Sequence, residues 1–438
     1  MHRRSFLGAG ALAIGATAAP AFARGTQRHG FPEDFVWGSA TSGHQTEGNN
    51  IASDQWLFET VEPRLAKTPS GDACNSFELW PKDLDLIRGA NLSSYRFSIE
   101  WPRIEPVKGE FSIAMLDHYR RMLEGCRARG ITPMVTLCHF TTPRWFAASG
   151  GFKQPDAPAL FARYCTRVME HMGDLVSNVV TINEANVCNL LAISLPDGFF
   201  QAVRATLNIA ARQSGSDQFV LSNLVLAEDL DAVTTGLLAG HAAGREAIRA
   251  AAPHAKVGVT VAVNDDQAAR GGKGKRDAIR EQAYGQWLRA VADDDFIGVQ
   301  NYHRKIWGAE GKREGPEGAP VNFSGEEVYA PSLANAVRYV HDVTGKPIYV
   351  TEHGVGTSDD AIRQALIPAA LRDLRKAIAD GVPVRGYYHW SLLDNYEWGG
   401  EPENRFGLVA VNRKTFERTP KPSYAILAAI AQSNGRDL

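Results

Sequence analysis

Two glutamates each close a run of β-branched and apolar residues. Val179-Val180-Thr181-Ile182-Asn183 leads into Glu184, and Pro347-Ile348-Tyr349-Val350-Thr351 leads into Glu352. Such runs read as buried parallel strands. A carboxylate at the end of a buried strand is expensive, because burial disfavours its charged form. Two of them in matching places point to one pocket that uses a carboxylate pair. Paired carboxylates are the equipment for cleaving a glycosidic bond.

The elements that must position this pair alternate along the chain. Strand-like runs are Phe35–Ala40, Ser94–Ile99, Pro133–Cys138, Val179–Asn183, Lys256–Val261, Phe296–Asn301, Ile348–Glu352 and Gly386–Ser391. Helix-like stretches between them include Phe111–Arg129, Asp156–Met172, Thr234–Ala251, Ala278–Val291, Leu333–Val343 and Ile362–Ala379. Strand–helix alternation implies a parallel sheet, and eight units in one domain imply an α/β fold of the closed (β/α)8 TIM-barrel type. No linker rich in Pro, Gly or Ser divides residues 27–438, which read as one domain. Long connections at Asn189–Asp231 and Trp307–Ser332 follow the fourth and sixth strands, where a barrel builds its pocket. Gly271–Arg276 has no Ser or Thr after Gly274-Lys275, so it reads as a solvated loop rather than a phosphate loop.

Most strand ends carry polar or aromatic residues. Gln45 and Glu47 follow the first strand, Arg96 lies in the second, and His139 closes the third. Asn183 and Glu184 close the fourth, Asn301, Tyr302 and His303 the sixth, Glu352 the seventh and Trp390 the eighth. In a barrel these ends share one face. Any single one could merely cap a helix or satisfy a loop. As a set they are the residue types a sugar needs: carboxylates for acid, base and nucleophile work, amides and His for hydroxyls, and Trp to stack on the ring.

The 438 residues carry a formal net charge of −2 and are 44% hydrophobic, which leaves no electrostatic footprint for nucleic acid. His2-Arg3-Arg4-Ser5-Phe6-Leu7, the apolar stretch Gly8–Ala19 and the small-residue site Ala21-Phe22-Ala23 resemble a twin-arginine export signal over residues 1–23. That leader predicts a periplasmic or secreted protein. Beyond it, no apolar stretch is long enough for stable membrane insertion. Five cysteines do not make a disulfide framework in a chain this long, and no Cys/His spacing matches a zinc site.

The motifs resemble glycoside hydrolase family one, the β-glucosidase family, from Phe31 to about Tyr424. The resemblance is carried by Phe35-Val36-Trp37-Gly38-Ser39-Ala40-Thr41, by Tyr95-Arg96-Phe97-Ser98-Ile99 with Trp101-Pro102-Arg103-Ile104, and by Trp390-Ser391-Leu392-Leu393-Asp394-Asn395-Tyr396-Glu397-Trp398. It implies that Glu184 is the general acid/base and Glu352 the nucleophile. Asn183 would bind the sugar 2-hydroxyl. Gln45, His139, Glu397 and Trp398 would bind the other hydroxyls, with Trp390 beneath the ring. Arg96, Asn301 and His303 would support the nucleophile, His303 standing at the position of a Tyr that contacts it. Carboxyl groups about 5–5.5 Å apart would give double displacement with retention. The resemblance implies no metal and no organic cofactor.

The expected activity is therefore that of a retaining β-glycosidase taking terminal β-linked sugars from small glycosides or oligosaccharides. A transglycosidase with a hydroxyl acceptor and a non-catalytic sugar-binding barrel are the alternatives. Retention of both glutamates argues against the second. His44, Phe140, Ala185, His303 and His353 depart from the family's usual residues. If His303 touched Glu352, its ionisation near neutral pH would modulate the nucleophile. Phe140 lacks an indole N–H, which predicts relaxed recognition at one sugar hydroxyl.

Overall fold

The computed structural model describes residues 30–400 and 402–438. Eight parallel strands close into a barrel: β1 Val36–Ala40, β2 Ser94–Ser98, β3 Thr132–Cys138, β4 Asn178–Ile182, β5 Lys256–Ala262, β6 Phe296–Asn301, β7 Ile348–His353 and β8 Val384–Trp390. Each pairs with its neighbours in chain order, and β8 returns to β1. Every strand expected from the sequence is present within two residues of its expected ends. The leader at residues 1–23 lies outside the described residues. Among the described residues, no helix is long and apolar enough to cross a membrane.

Strand alternation divides the core into two layers. Met134, Val180, Phe296 and Tyr388 form one cluster with Ala40 and Trp390, inside the barrel. Their chain neighbours Val135, Val179, Ile297 and Tyr387 belong to the larger cluster shared with the helices. Helices Ala157–Met172 and Leu230–Ala251 approach closely because a Cβ on Gly244 would come within 2.9 Å of the Phe161 ring. All five cysteines are buried and free.

The connection after β4 is more ordered than its sequence suggests. It folds into helices Val187–Ser194 and Asp197–Gln213, and the second of these joins helix Asp54–Thr60. Helices Asp54–Thr60 and Asp197–Gln213 bury a separate apolar cluster that includes Phe58, Leu207 and Phe219. The loop reading of Gly271–Arg276 is corrected, since a helix begins at Lys273. Lys273 and Asp277 pair at 2.8 Å with i,i+4 spacing, which supports that turn.

One irregularity bears on the site. Val350 lies opposite Val299 and Glu352 opposite Gln300, so β7 carries one extra residue, Thr351, against β6. A bulge of this kind re-aims the side chains around it and is common beside active sites.

Candidate active site

Glu352 leaves this bulge fully partnered. Arg96, buried in β2, donates from Nη1 to Glu352 Oε1 at 2.6 Å. Tyr302 donates its hydroxyl to Glu352 Oε2 at 2.6 Å. Arg96 also donates from Nη2 to Asn183 Oδ1 at 2.5 Å, and Gln300 Nε2 donates to the same oxygen at 2.7 Å. Asn183 Nδ2 lies 3.2 Å from His139 Nε2. Burial raises the Glu352 carboxyl, but the Arg96 guanidinium, the Tyr302 hydroxyl and Gln300 pull it back. Glu352 is therefore the first of the pair to ionise.

Glu184 sits one residue beyond Asn183 with φ at +39°, a left-handed conformation that non-glycine residues seldom adopt. Backbone bonds hold it there. Glu184 N–H donates to Thr260 Oγ1 at 2.8 Å, and Ala185 N–H to Thr260 O at 3.0 Å. The Glu184 carboxyl receives no donor among the described residues. Burial, and then the negative charge of Glu352, push it from an ordinary 4.5 up to about 8. The two carboxyl groups thus differ in what holds their charge: Glu352 has donors that favour ionisation, and Glu184 has none. This is the division of labour that acid and nucleophile chemistry requires.

Both carboxyl groups line a cavity of about 250 Å³, together with Gln45, His139, Phe140, His303, Trp390, Glu397 and Trp398. Trp390 stacks on His139 with centroids 5.5 Å apart and planes at 14°. Burial and Arg96 hold His139 well below the usual histidine range, so it is neutral. Gln45 is fixed by Ser42 Oγ, which donates to its Oε1 at 2.7 Å, and by Tyr396 O, to which its Nε2 donates at 2.8 Å. Trp398 is packed between His44, stacked 5.5 Å away, and Phe140, edge-on at 5.4 Å. Two of the unusual residues thus buttress one indole. His353 faces away from the cavity, with Nδ1 3.0 Å from the Tyr387 hydroxyl. Among the described residues, no group of three or more His, Cys, Asp and Glu side chains is placed to hold a metal ion.

Two expected supports of the nucleophile stand elsewhere. Asn301 donates from Nδ2 to Val263 O at 2.8 Å and accepts from Ser332 Oγ at 2.7 Å, so its amide serves the loops behind β6. His303 borders the cavity but makes no bond to Glu352, and the charges acting on it are Lys305, Glu326 and Lys312. Burial pushes its ring down to about 4, which removes the expected titration near neutral pH. The tyrosine position belongs to Tyr302. Sequence reading missed the roles of Tyr302, Gln300 and Thr260. A signal was present: Gln300 and Tyr302 lie two apart, at the polar end of an otherwise apolar run Phe296–Val299.

A barrel with two glutamates of split ionisation at the strand ends defines a glycosidase architecture, and comparison with known proteins agrees. The sequence profile of glycosyl hydrolase family 1 matches residues 27–220 and 295–436, and the chain belongs to that family. The beta-glucosidase of Agrobacterium sp. is 29% identical, with 92% of this chain and 95% of that protein covered. Beta-glucosidase A of Thermotoga maritima is 28% identical over 92% of this chain and 98% of that one. Among solved structures, beta-glycosidase BGL167 superposes with a TM-score of 0.87 at 42% identity, covering 92% of this chain and 97% of its own. Beta-glucosidase 1317 superposes at 0.86, also 42% identical, over 91% of this chain and 98% of its own.

Proposed function

We propose that the protein removes terminal β-linked sugars, β-glucosides foremost, from small glycosides or oligosaccharides by double displacement with retention. One observation carries the reading: Glu352 has a donor on each oxygen, whereas Glu184 has none and is pushed up to about 8. Glu352 attacks the anomeric carbon as Glu184 protonates the departing oxygen. Glu184 then takes a proton from water, which displaces Glu352 from the same carbon. Asn183, His139, Gln45, Glu397 and Trp398 hold the hydroxyls, with Trp390 under the ring. The names of the relatives and the cavity volume of about 250 Å³ support a monosaccharide at the reacting position.

A panel of aryl β-glucoside, β-galactoside and β-fucoside, with the first-formed anomer followed by NMR, tests this reading. The β-anomer should appear first, and the glucoside should turn over. Initial α-anomer, or no turnover of any aryl β-glycoside, would overturn it. Export through the twin-arginine leader is part of the proposal. Replacing Arg3 and Arg4 by Lys should leave the protein in the cytoplasmic fraction, and unchanged export would contradict it.

A further inference from the structure

Glu184 and Glu352 are aimed by different means. Two donors grip the Glu352 carboxyl, whereas none grips that of Glu184 among the described residues. The backbone that carries Glu184 must therefore set its direction. Its positive φ persists only where the surroundings over-determine the chain. The end of β5 supplies that constraint. β4 and β5 are in register only up to Val180 opposite Gly258, while β5 continues to Ala262. Beyond Gly258, the peptide groups of β5 that face β4 need other partners. Glu184 N–H goes to the Thr260 hydroxyl and Ala185 N–H to the Thr260 carbonyl. A proline after Glu184 would lack that second donor.

Asn186 completes the set with its side chain. Its Oδ1 accepts from Ala262 N–H at 2.8 Å, and its Nδ2 donates to Ala262 O at 2.8 Å. One side-chain amide thus makes the pair of bonds that a neighbouring strand would make. Nδ2 also lies 3.3 Å from Ala283 O. Ala283 sits in a single π-helical turn, Glu281–Gly285, between helices Lys273–Arg280 and Gln286–Ala290. Such turns are rare and recur at functional sites. Asn186 is fully buried and does not line the cavity around the two glutamates. Any effect it has on the reaction passes through the turn that carries Glu184.

We propose that Asn186 is a positioning residue for the general acid: it clamps the turn to the end of β5 and so fixes the Glu184 carboxyl towards the departing oxygen. The inference rests on the hydrolytic reading above and adds to it.

Leaving-group dependence tests the idea. A phenolate needs the proton that Glu184 delivers, whereas a dinitrophenolate departs with little help from an acid. A displacement of about 1 Å can cost about 10²-fold in rate. In Asn186→Ala, kcat/KM for phenyl β-glucoside should fall about 30-fold or more, while that for dinitrophenyl β-glucoside stays within about threefold. The ratio of the two constants, measured on one sample, cancels any loss of folded protein. Should Asn186→Ala not fold, Asn186→Gln decides. It keeps the amide but places it one methylene further out, and its ratio should change in the same direction by about threefold or more. An unchanged ratio, or a larger loss on the dinitrophenyl substrate, would overturn the positioning role while leaving hydrolysis intact. Failure of the wild-type enzyme on both glucosides would instead overturn the hydrolytic reading.

Discussion

The wall of the pocket built by β2, β6 and β7 differs from the wall built by the loop after β8. On the first, each oxygen of Glu352 has its own donor, and the Arg96 guanidinium binds both Glu352 and Asn183. On the second, Glu397 and Asn395 are also buried but leave polar atoms unpaired. The first wall is complete without substrate, which suits a group whose charge must be set before reaction begins. The second lacks partners that hydroxyl groups could supply. A carboxyl group in one pocket can therefore be partnered by the fold, as Glu352 is, or left with an unpaired oxygen, as Glu397 is.

The largest way to break the first wall is Glu352→Ala. Turnover of aryl β-glucoside should fall by at least about 10⁴-fold, since no other carboxylate can form the covalent intermediate. Activity near wild type would remove Glu352 from the mechanism. Arg96→Met comes next. It leaves a buried carboxylate without its cation, which costs about 3–5 kcal/mol of stability, and kcat/KM should fall about 10²–10³-fold. Thermal unfolding and steady-state kinetics check both numbers.

Tyr302 and His303 sharpen the contrast at single-residue resolution. Tyr302→Phe removes a donor to Glu352, so the Glu352 carboxyl rises and the acidic limb of kcat/KM should move to higher pH, with a loss of about 10–100-fold. His303→Phe should leave that limb in place, because the ring is held near 4 and does not touch Glu352. Equal effects from the two variants would contradict the assignment.

The smallest effect lies on the second wall and has the opposite sign for stability. Burial raises Glu397 well above an ordinary 4.5, with Glu352 and Asp394 adding to it. Its folded-state carboxyl thus holds a proton that the unfolded chain has already lost. This contribution is fully present below about 4.5 and is lost as pH rises above that value. Glu397→Gln should raise stability at pH 7–8 by on the order of 1 kcal/mol and flatten the fall in Tm between pH 5 and 8, while weakening sugar binding. An unchanged slope would show that Glu397 is already satisfied.

Much of this arrangement was legible in the sequence because barrel strands are short, apolar and regularly spaced. Those features gave all eight strands and put Glu184 and Glu352 on one face. Motif similarity supplied the surrounding residues. Legibility failed where a single step of register decides direction. Asn301 and His303 flank Tyr302, and only the backbone path after β6 shows which of the three reaches Glu352. The helices of the connection after β4 were hidden for another reason. The apolar face of helix Asp197–Gln213 packs on helix Asp54–Thr60, which is distant in the chain. The split behaviour of Glu352 and Glu397 was also unreadable, since it depends on which donors lie within bonding distance.

The central claim is that Glu352 bonds to carbon and Glu184 moves the proton. Azide added to the two alanine variants tests it directly. In Glu352→Ala, azide should attack from the vacated nucleophile side and give the α-glycosyl azide. In Glu184→Ala, Glu352 still forms the covalent intermediate, so azide should give the β-glycosyl azide. The opposite pairing of variant and product, or the same anomer from both, would contradict the account.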